Sequence, residues 1–289
     1  MGKELKILAL LSVFCAGIAF AAPPARDPDS IYFPKNYQTE PNRKWPLVVL
    51  LHGYKVSGKF QKKYFRISQQ QINKRGFILL IPGTTYDQKG FRFWNAMDYC
   101  CDHFGSGVDD VGYLRATVQK AIAQYNVDPS RVSVLGHSNG GFMMHRMICD
   151  HADLFSSAVS LAGASYRDLN QCKPSSPVAL MMIQGKKDWR VPFEGMNEKT
   201  LQKRLKKREG IYPYSSNEAL VRFPGVEETT RYWALKNGCS GKDGPEHYQD
   251  GCKRGAEVVM DVHPAWGHVP LILPGMRDKI LDFLLCHSK

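Results

Sequence analysis

Short, mostly continuous apolar runs separated by longer amphipathic stretches restrict this chain more than anything else in it. They are Leu47 to Leu51 (LVVLL), Phe77 to Ile81 (FILLI), Val132 to Leu135 (VSVL), Ser157 to Leu161 (SAVSL), Val178 to Ile183 (VALMMI) and Glu257 to Val262 (EVVMDV). A strand wetted on one face alternates polar with apolar residues, whereas a continuous run needs cover on both faces. Helical patterns fill the intervals: Gln61 to Arg75, Asp110 to Tyr125, Phe142 to Cys149, Glu227 to Lys236 and Met276 to Leu285. The second is the clearest, with Val111, Leu114, Val118, Ile122 and Tyr125 along one face. Strand alternating with helix predicts an α/β fold, a doubly wound, mostly parallel central sheet with helices on both faces. Right-handed crossovers then bring the carboxyl ends of the strands to one edge, where ligand sites collect. Ser30 to Pro34 (SIYFP) reads as a first strand at the end of an entry arm, and Asp109 and Asp110 as the cap and dipole partners of the helix they open.

At 289 residues and 43% hydrophobic, the chain has enough apolar surface for one substantial core, so residues 23–289 are expected to form a single domain. Residues 1–22 read as a signal peptide. Lys3 and Lys6 precede an apolar run too short to span a bilayer, and Ala19-Phe20-Ala21 has the small-x-small form of a cleavage site. The expectation is a protein secreted or periplasmic, with no integral membrane association. Of eight cysteines, all but Cys15 outlast cleavage, and an oxidising compartment would let them pair. Cys239 and Cys252 flank a polar, glycine-rich loop and are the first choice for a staple; Cys149 with Cys172 is a plausible second bridge. Cys100 and Cys101 are adjacent and are expected to take separate partners. No C-x-x-C pair or H-E-x-x-H motif suggests a metal. The net charge of +12 raises nucleic acid or an anionic envelope as partners. No nucleic-acid motif accompanies it, so no nucleic-acid partner is expected. The one dense basic cluster, Lys199 to Arg208, reads as a solvated helical face. Oligomeric state is not readable.

The chemistry is concentrated at Gly136-His137-Ser138-Asn139-Gly140. Strand, then G-x-S-x-G, then helix describes a nucleophile elbow: small residues at both ends let strand and helix approach around a strained turn that projects the serine hydroxyl. A serine hydroxyl is a poor nucleophile at neutral pH and needs a base held by an acid. In this architecture the acid and then the base come later in the chain. The segment MMIQGKKDWRVP supplies Asp188 after a strand and a glycine turn. VVMDVHPAWGHVPL offers His263 and His268, of which His268 lies far enough beyond the strand to loop back over Ser138. For the oxyanion, backbone N–H groups of Asn139, directly after the nucleophile, and of Tyr54, after His52-Gly53 at an early strand end, are the candidates. Trp94, Trp189 and Trp266 fall in loops at the same edge and could bind an aromatic acyl group or a sugar ring.

These stretches, LVVLLHG, the segment from FWNAMDYCC through DPSRVSVLGHSNGG, IQGKKDWRVPFEG, ETTRYWALKNGC and GHVP, resemble the exported esterases that include poly(3-hydroxybutyrate) depolymerases and feruloyl esterases. The resemblance runs from about Ile31 to the C-terminus and implies an α/β-hydrolase fold and a serine carboxylesterase mechanism with no metal or other cofactor. It carries over Ser138, Asp188 and His268 as a triad and Tyr54 and Asn139 as the oxyanion hole. It implies an ester substrate, a hydroxyalkanoate polyester or oligomer or a feruloyl or acetyl ester of plant polysaccharide. Many relatives read Asp-Pro where this chain has Asp188-Trp189. A peptidase of the same fold and a non-catalytic basic protein of the cell envelope are the competing expectations.

Overall fold

The computed structural model describes residues 26–200, 202, 222–240 and 247–289. The leader read in residues 1–22 lies outside the described residues, as does most of the basic cluster at 199–208.

Ten strands and six helices follow in chain order among the described residues: β1 (Ser30–Tyr32), β2 (Trp45–Leu51), α1 (Gly58–Tyr64), α2 (Gln69–Arg75), β3 (Ile78–Ile81), β4 (Thr85–Tyr86), β5 (Arg92–Phe93), α3 (Asp110–Gln124), β6 (Val127–His137), α4 (Asn139–Asp150), β7 (Ser157–Leu161), β8 (Ala179–Gly185), α5 (Val226–Lys236), β9 (His247–Tyr248), β10 (Val258–His263) and α6 (Pro274–Cys286). The main sheet has the order β1-β3-β2-β6-β7-β8-β10-β9. Its central strands, β3 through β10 in that order, run parallel. The edge strands β1 and β9 pair antiparallel. The chain first winds outward from β2 to β3, then returns to lay β6 on the other side of β2 and winds the opposite way. The reversal leaves a crevice beyond the ends of β2 and β6, the place where open α/β sheets bind ligands.

The continuous apolar runs are continuous because both faces are covered. In β2, Leu47, Val49 and Leu51 enter one core with Leu114 and Val118 of α3, Met143 and Met147 of α4 and Trp233 of α5. Val48 and Leu50 point the other way, into a second core with Phe65, Ile72 of α2 and Ile280, Leu281 and Leu284 of α6. Each fully buried aliphatic side chain contributes roughly 1.5–3 kcal/mol, so an eight-stranded sheet covered in this way is the main source of stability.

Three expectations are corrected. The helical pattern Gln61 to Arg75 is two helices, because Phe65 and Ile67 are both buried and in one helix would stand roughly 200° apart. The chain breaks at Arg66 (φ 56°) and restarts with Ser68, whose hydroxyl accepts the Gln71 N–H. Secondly, Cys100 and Cys101 are bonded to each other. Both are buried in the core beneath Asn139, while Cys149–Cys172 and Cys239–Cys252 use one another and the remaining Cys286 lies exposed at the end of α6. No other described thiol can reach them. Thirdly, Asp110 is more than a dipole partner. Asp109 caps α3 by accepting the Gly112 N–H, but Asp110 is buried, accepting from Arg26 at 2.6 Å and the Asn95 N–H at 2.6 Å. Among the described residues no helix is long and apolar enough to cross a membrane.

Candidate active site

Between the last residue of β6, His137, and the first of α4, Asn139, stands Ser138 alone, at φ 54° and ψ −122°. A non-glycine residue held there is strained and persists only where its surroundings over-determine it. The surroundings do so through contact of backbone with backbone. A Cβ on Gly136 would stand 2.1 Å from the Gly140 oxygen, and one on Gly140 would stand 2.3 Å from the Leu51 oxygen. The two glycines therefore let α4 lie directly against β6 and β2. The Ser138 N–H is fixed on the Leu161 carbonyl at 2.9 Å.

His268 sits on the loop after β10, with Nε2 2.8 Å from Ser138 Oγ and Nδ1 2.9 Å from Asp188 Oδ2. A carboxylate only accepts, so Nδ1 carries the proton and the Nε2 lone pair faces the serine hydroxyl. Asp188, 4% exposed, is held on every side: Oδ1 accepts the N–H groups of Arg190 (2.8 Å) and Val191 (2.9 Å), and Oδ2 also accepts from Gln184 Nε2 at 3.1 Å. Gln184 is in turn anchored on the Val191 carbonyl at 2.6 Å. Such a carboxylate cannot swing away from the imidazole. His263, the other histidine weighed as a base, is turned to the far side of its loop. It stacks on Trp266 at 3.6 Å and stands 3.1 Å from the Asp261 carboxylate.

Sequence reading missed several supports. His137, the x of G-x-S, is buried and held neutral, with its pKa lowered to about 4 by burial and then by the neighbouring His268. Its Nε2 lies 3.0 Å from the His268 carbonyl and its ring stacks on Tyr64, whose hydroxyl donates to the Pro270 carbonyl at 2.8 Å. Two rings thus clamp the loop that carries His268. On the other side of Ser138, the loop bearing Tyr54 is pinned by the Gly53 N–H on Gln61 Oε1 (3.0 Å) and the Lys55 N–H on the Arg92 carbonyl (2.8 Å). The Tyr54 hydroxyl donates to Asp87 at 2.6 Å. Nothing in the local pattern around Gln61, Gln184 or Tyr64 marks these roles; each depends on a neighbour brought in by the fold.

None of the three tryptophans is among the described residues that line the cavity in front of Ser138. Trp94 is 0% exposed. Its indole donates to the His52 carbonyl at 3.1 Å, and its backbone exchanges two hydrogen bonds with the Asn139 side chain, at 2.8 and 2.9 Å. It therefore ties the end of β2 to the start of α4 and has no face for a substrate. Trp266 is a latch: its carbonyl accepts the Lys187 N–H at 2.9 Å and packs where a Gly185 Cβ would be. Trp189 is 47% exposed with the Arg190 guanidinium 4.6 Å over its ring. The cavity of about 250 Å³ in front of Ser138 and His268 is lined instead by Tyr54, Val56, Phe60, Tyr64 and Val269 with Lys55 and Arg190.

Known proteins share parts of this plan. The prolyl oligopeptidase family model matches residues 64–175. Feruloyl esterase B of Piromyces equi is 25% identical over 77% of this chain and 39% of its own length, and acetylxylan esterase A of Talaromyces purpureogenus is 30% identical over 49% of this chain and 36% of its own. The chain thus spans well under two thirds of the curated relatives it matches. A solved acetyl xylan esterase from Aspergillus awamori superposes with a TM-score of 0.57 over 89% of this chain and 93% of that one, at 17% identity. Through that superposition and the parallel sheet with its helices the chain has the α/β-hydrolase fold, and in sequence it is similar over part of its length to feruloyl and acetylxylan esterases.

Proposed function

We propose that the chain is a serine carboxylic ester hydrolase that works through an acyl-enzyme. Ser138 Oγ attacks the ester carbonyl as His268 Nε2 takes its proton, and Asp188 holds the imidazole in place and stabilises its cationic form. The N–H groups of Tyr54 and Asn139 receive the oxyanion. The imidazolium protonates the leaving alcohol, and a water that gives its proton to the same nitrogen then releases the acid. What supports this reading above all is the unbroken run from Ser138 Oγ to His268 to Asp188, at 2.8 and 2.9 Å, on the crevice beyond β2 and β6.

For substrate, the reading is an ester of a hydroxyalkanoate polyester or oligomer, or a feruloyl or acetyl ester of plant polysaccharide; the names of the Piromyces and Talaromyces relatives favour the latter pair. Residues 1–22 act as a signal peptide and the remainder is one exported domain, secreted or periplasmic. Support comes from the three disulfides among the described residues, which an oxidising compartment preserves. A peptidase is the second reading, favoured by the prolyl oligopeptidase match, which takes in Ser138 but stops short of Asp188 and His268. The test is turnover of p-nitrophenyl butyrate, methyl ferulate, acetylated xylan, polyhydroxybutyrate film and a fluorogenic prolyl peptide by the wild type and Ser138→Ala. Ester turnover that vanishes in the variant is expected. Equal rates in both proteins would remove Ser138 from the chemistry, and turnover of the peptide alone would install the second reading.

A further inference from the structure

One short helix, α1, separates the cavity in front of Ser138 from a basic cleft. Phe60, Gln61 and Tyr64 line the cavity. Lys59, Lys62 and Lys63, with Arg66 just past the helix, line a cleft of about 660 Å³ whose far wall includes Arg277 of α6. Residues three and four apart share a helix face, so the three lysines form one stripe. Among the described lining residues of this cleft there is no acid. Lys59, Lys63 and Arg66 are exposed, and their side chains have no ion-pair partner among the described residues. The Lys62 ammonium lies 4.5 Å from the ring centroid of Tyr32, which lines the same cleft. Arg277 is already paired with Asp278, so the unpaired charge of this face rests with Lys59, Lys63 and Arg66.

Beside the stripe runs an apolar ridge. Past His268 the chain reads Val269-Pro270-Leu271-Ile272-Leu273. Pro270 and Ile272 are buried, whereas Val269, Leu271 and Leu273 are 64%, 72% and 56% exposed. Where inward and outward positions alternate at a surface, the outward ones are ordinarily polar; here they are apolar as well. Phe60, on α1, is another 56% exposed. The Tyr64 hydroxyl ties the ridge to α1 through the Pro270 carbonyl, at 2.8 Å, and Ile272 shares the second core with Phe65 and Ile67. The ridge ends where the Arg277 N–H bonds the Leu273 carbonyl, at the start of α6. It therefore runs from the cavity mouth, to which Val269 and Phe60 belong, to the basic cleft.

We propose that this face docks the protein on an anionic lipid surface. Phe60, Val269, Leu271 and Leu273 enter the acyl boundary, while Lys59, Lys62, Lys63 and Arg66 meet the headgroup phosphates. The cavity mouth then opens toward the interface. Two-fold pairing with a second copy would press basic stripe against basic stripe. A neutral polymer surface would leave the cations unused, and a soluble polyanion would leave the leucines in water. The inference concerns binding and stands apart from the hydrolytic reading.

Cosedimentation of the full chain with vesicles tests it, one set equimolar in phosphatidylglycerol and phosphatidylcholine and one of phosphatidylcholine alone. Partition onto the anionic vesicles is expected to be stronger by about a hundredfold and to weaken with added salt. Lys59→Gln/Lys63→Gln should reduce it by about thirtyfold, roughly fivefold for each lysine. Leu271→Ser/Leu273→Ser should reduce it by about tenfold. Glutamine keeps the helix, and serine suits the N-cap position that Leu273 occupies, so both variants should hold the wild-type Tm. Equal binding to the two vesicle types, binding to neither, or binding that both variants retain in full overturns the proposal. Stronger retention on polygalacturonate beads than on the vesicles also overturns it, in favour of an acidic glycan. Turnover of p-nitrophenyl butyrate is read separately, so absent lipid binding with turnover intact refutes this inference alone.

Discussion

A single methyl group, added at two different glycines, should act with opposite signs. At Gly140 the new Cβ would stand 2.3 Å from the Leu51 oxygen, 2.6 Å from the Leu51 carbonyl carbon and 2.7 Å from the His52 oxygen. All three are backbone atoms of the β2 end, so no side chain can swing aside. Ordinary contact needs about 3.5 Å, so α4 and β2 must separate by roughly 1 Å. Overpacking of this kind costs about 1–3 kcal/mol, which lowers Tm by about 2–4 °C per kcal/mol in a chain of this size. The displacement also falls between the Asn139 and Tyr54 N–H groups, which flank that contact, and a misplacement of about 1 Å can lower turnover about a hundredfold. At Gly275, exposed in the first turn of α6, a Cβ would meet nothing within 4 Å. There Gly→Ala should stabilise by about 0.4–1 kcal/mol and leave turnover alone. Denaturant titration followed by p-nitrophenyl butyrate kinetics on both variants is the assay. If Gly140→Ala matched the wild type in midpoint and in kcat, the close approach of α4 to β2 would not be what shapes the elbow.

Replacing the two candidate bases one at a time should separate them. His268→Ala is expected to abolish ester turnover, and His263→Ala, which removes only the partner of Trp266 and Asp261, to leave it largely in place; the reverse pattern in kcat would refute the relay. A third expectation concerns acid. His52 and His137 are held neutral with pKa values near 4, and His145 near 3, in each case first through burial. Between those values and the ordinary 6.5, the unfolded chain binds protons that the folded one does not. Stability is therefore full above pH 6.5 and is lost as pH falls toward 4, by about 1.4 kcal/mol per pH unit for each such histidine. Among the described residues His145 has no hydrogen-bond partner on either ring nitrogen, so His145→Leu should flatten this dependence by about one proton's worth. Denaturant midpoints at pH 5 and pH 7 for both proteins check this, and an unchanged slope would show that His145 is not one of the groups responsible.

What could be read without coordinates was whatever local pattern carries. The runs that became β2, β3 and β8 announced themselves by being apolar on both faces. Gly136-x-Ser138-x-Gly140 marked the junction of β6 with α4 because only glycine permits that approach. The order of Ser138, Asp188 and His268 after their strands was legible because parallel crossovers return each strand end to one edge. The two-residue strands β4, β5 and β9 were not, since so short a pairing leaves no period to detect.

The tertiary structure decided everything that depends on which way a loop faces. Trp94, Trp189 and Trp266 all lie in loops, and the sequence cannot say that one is sealed in the core, one exposed and one stacked on His263. Nor does it say that Cys100 and Cys101 would bond to each other. His137 steadies His268 across 131 residues of chain, and Gln184 holds Asp188 only because a turn folds back on its own strand. Periodicity fixes which face of a strand or helix is buried; loops have no period, so the direction of their side chains is settled by the packing of distant segments and becomes known only when those segments meet.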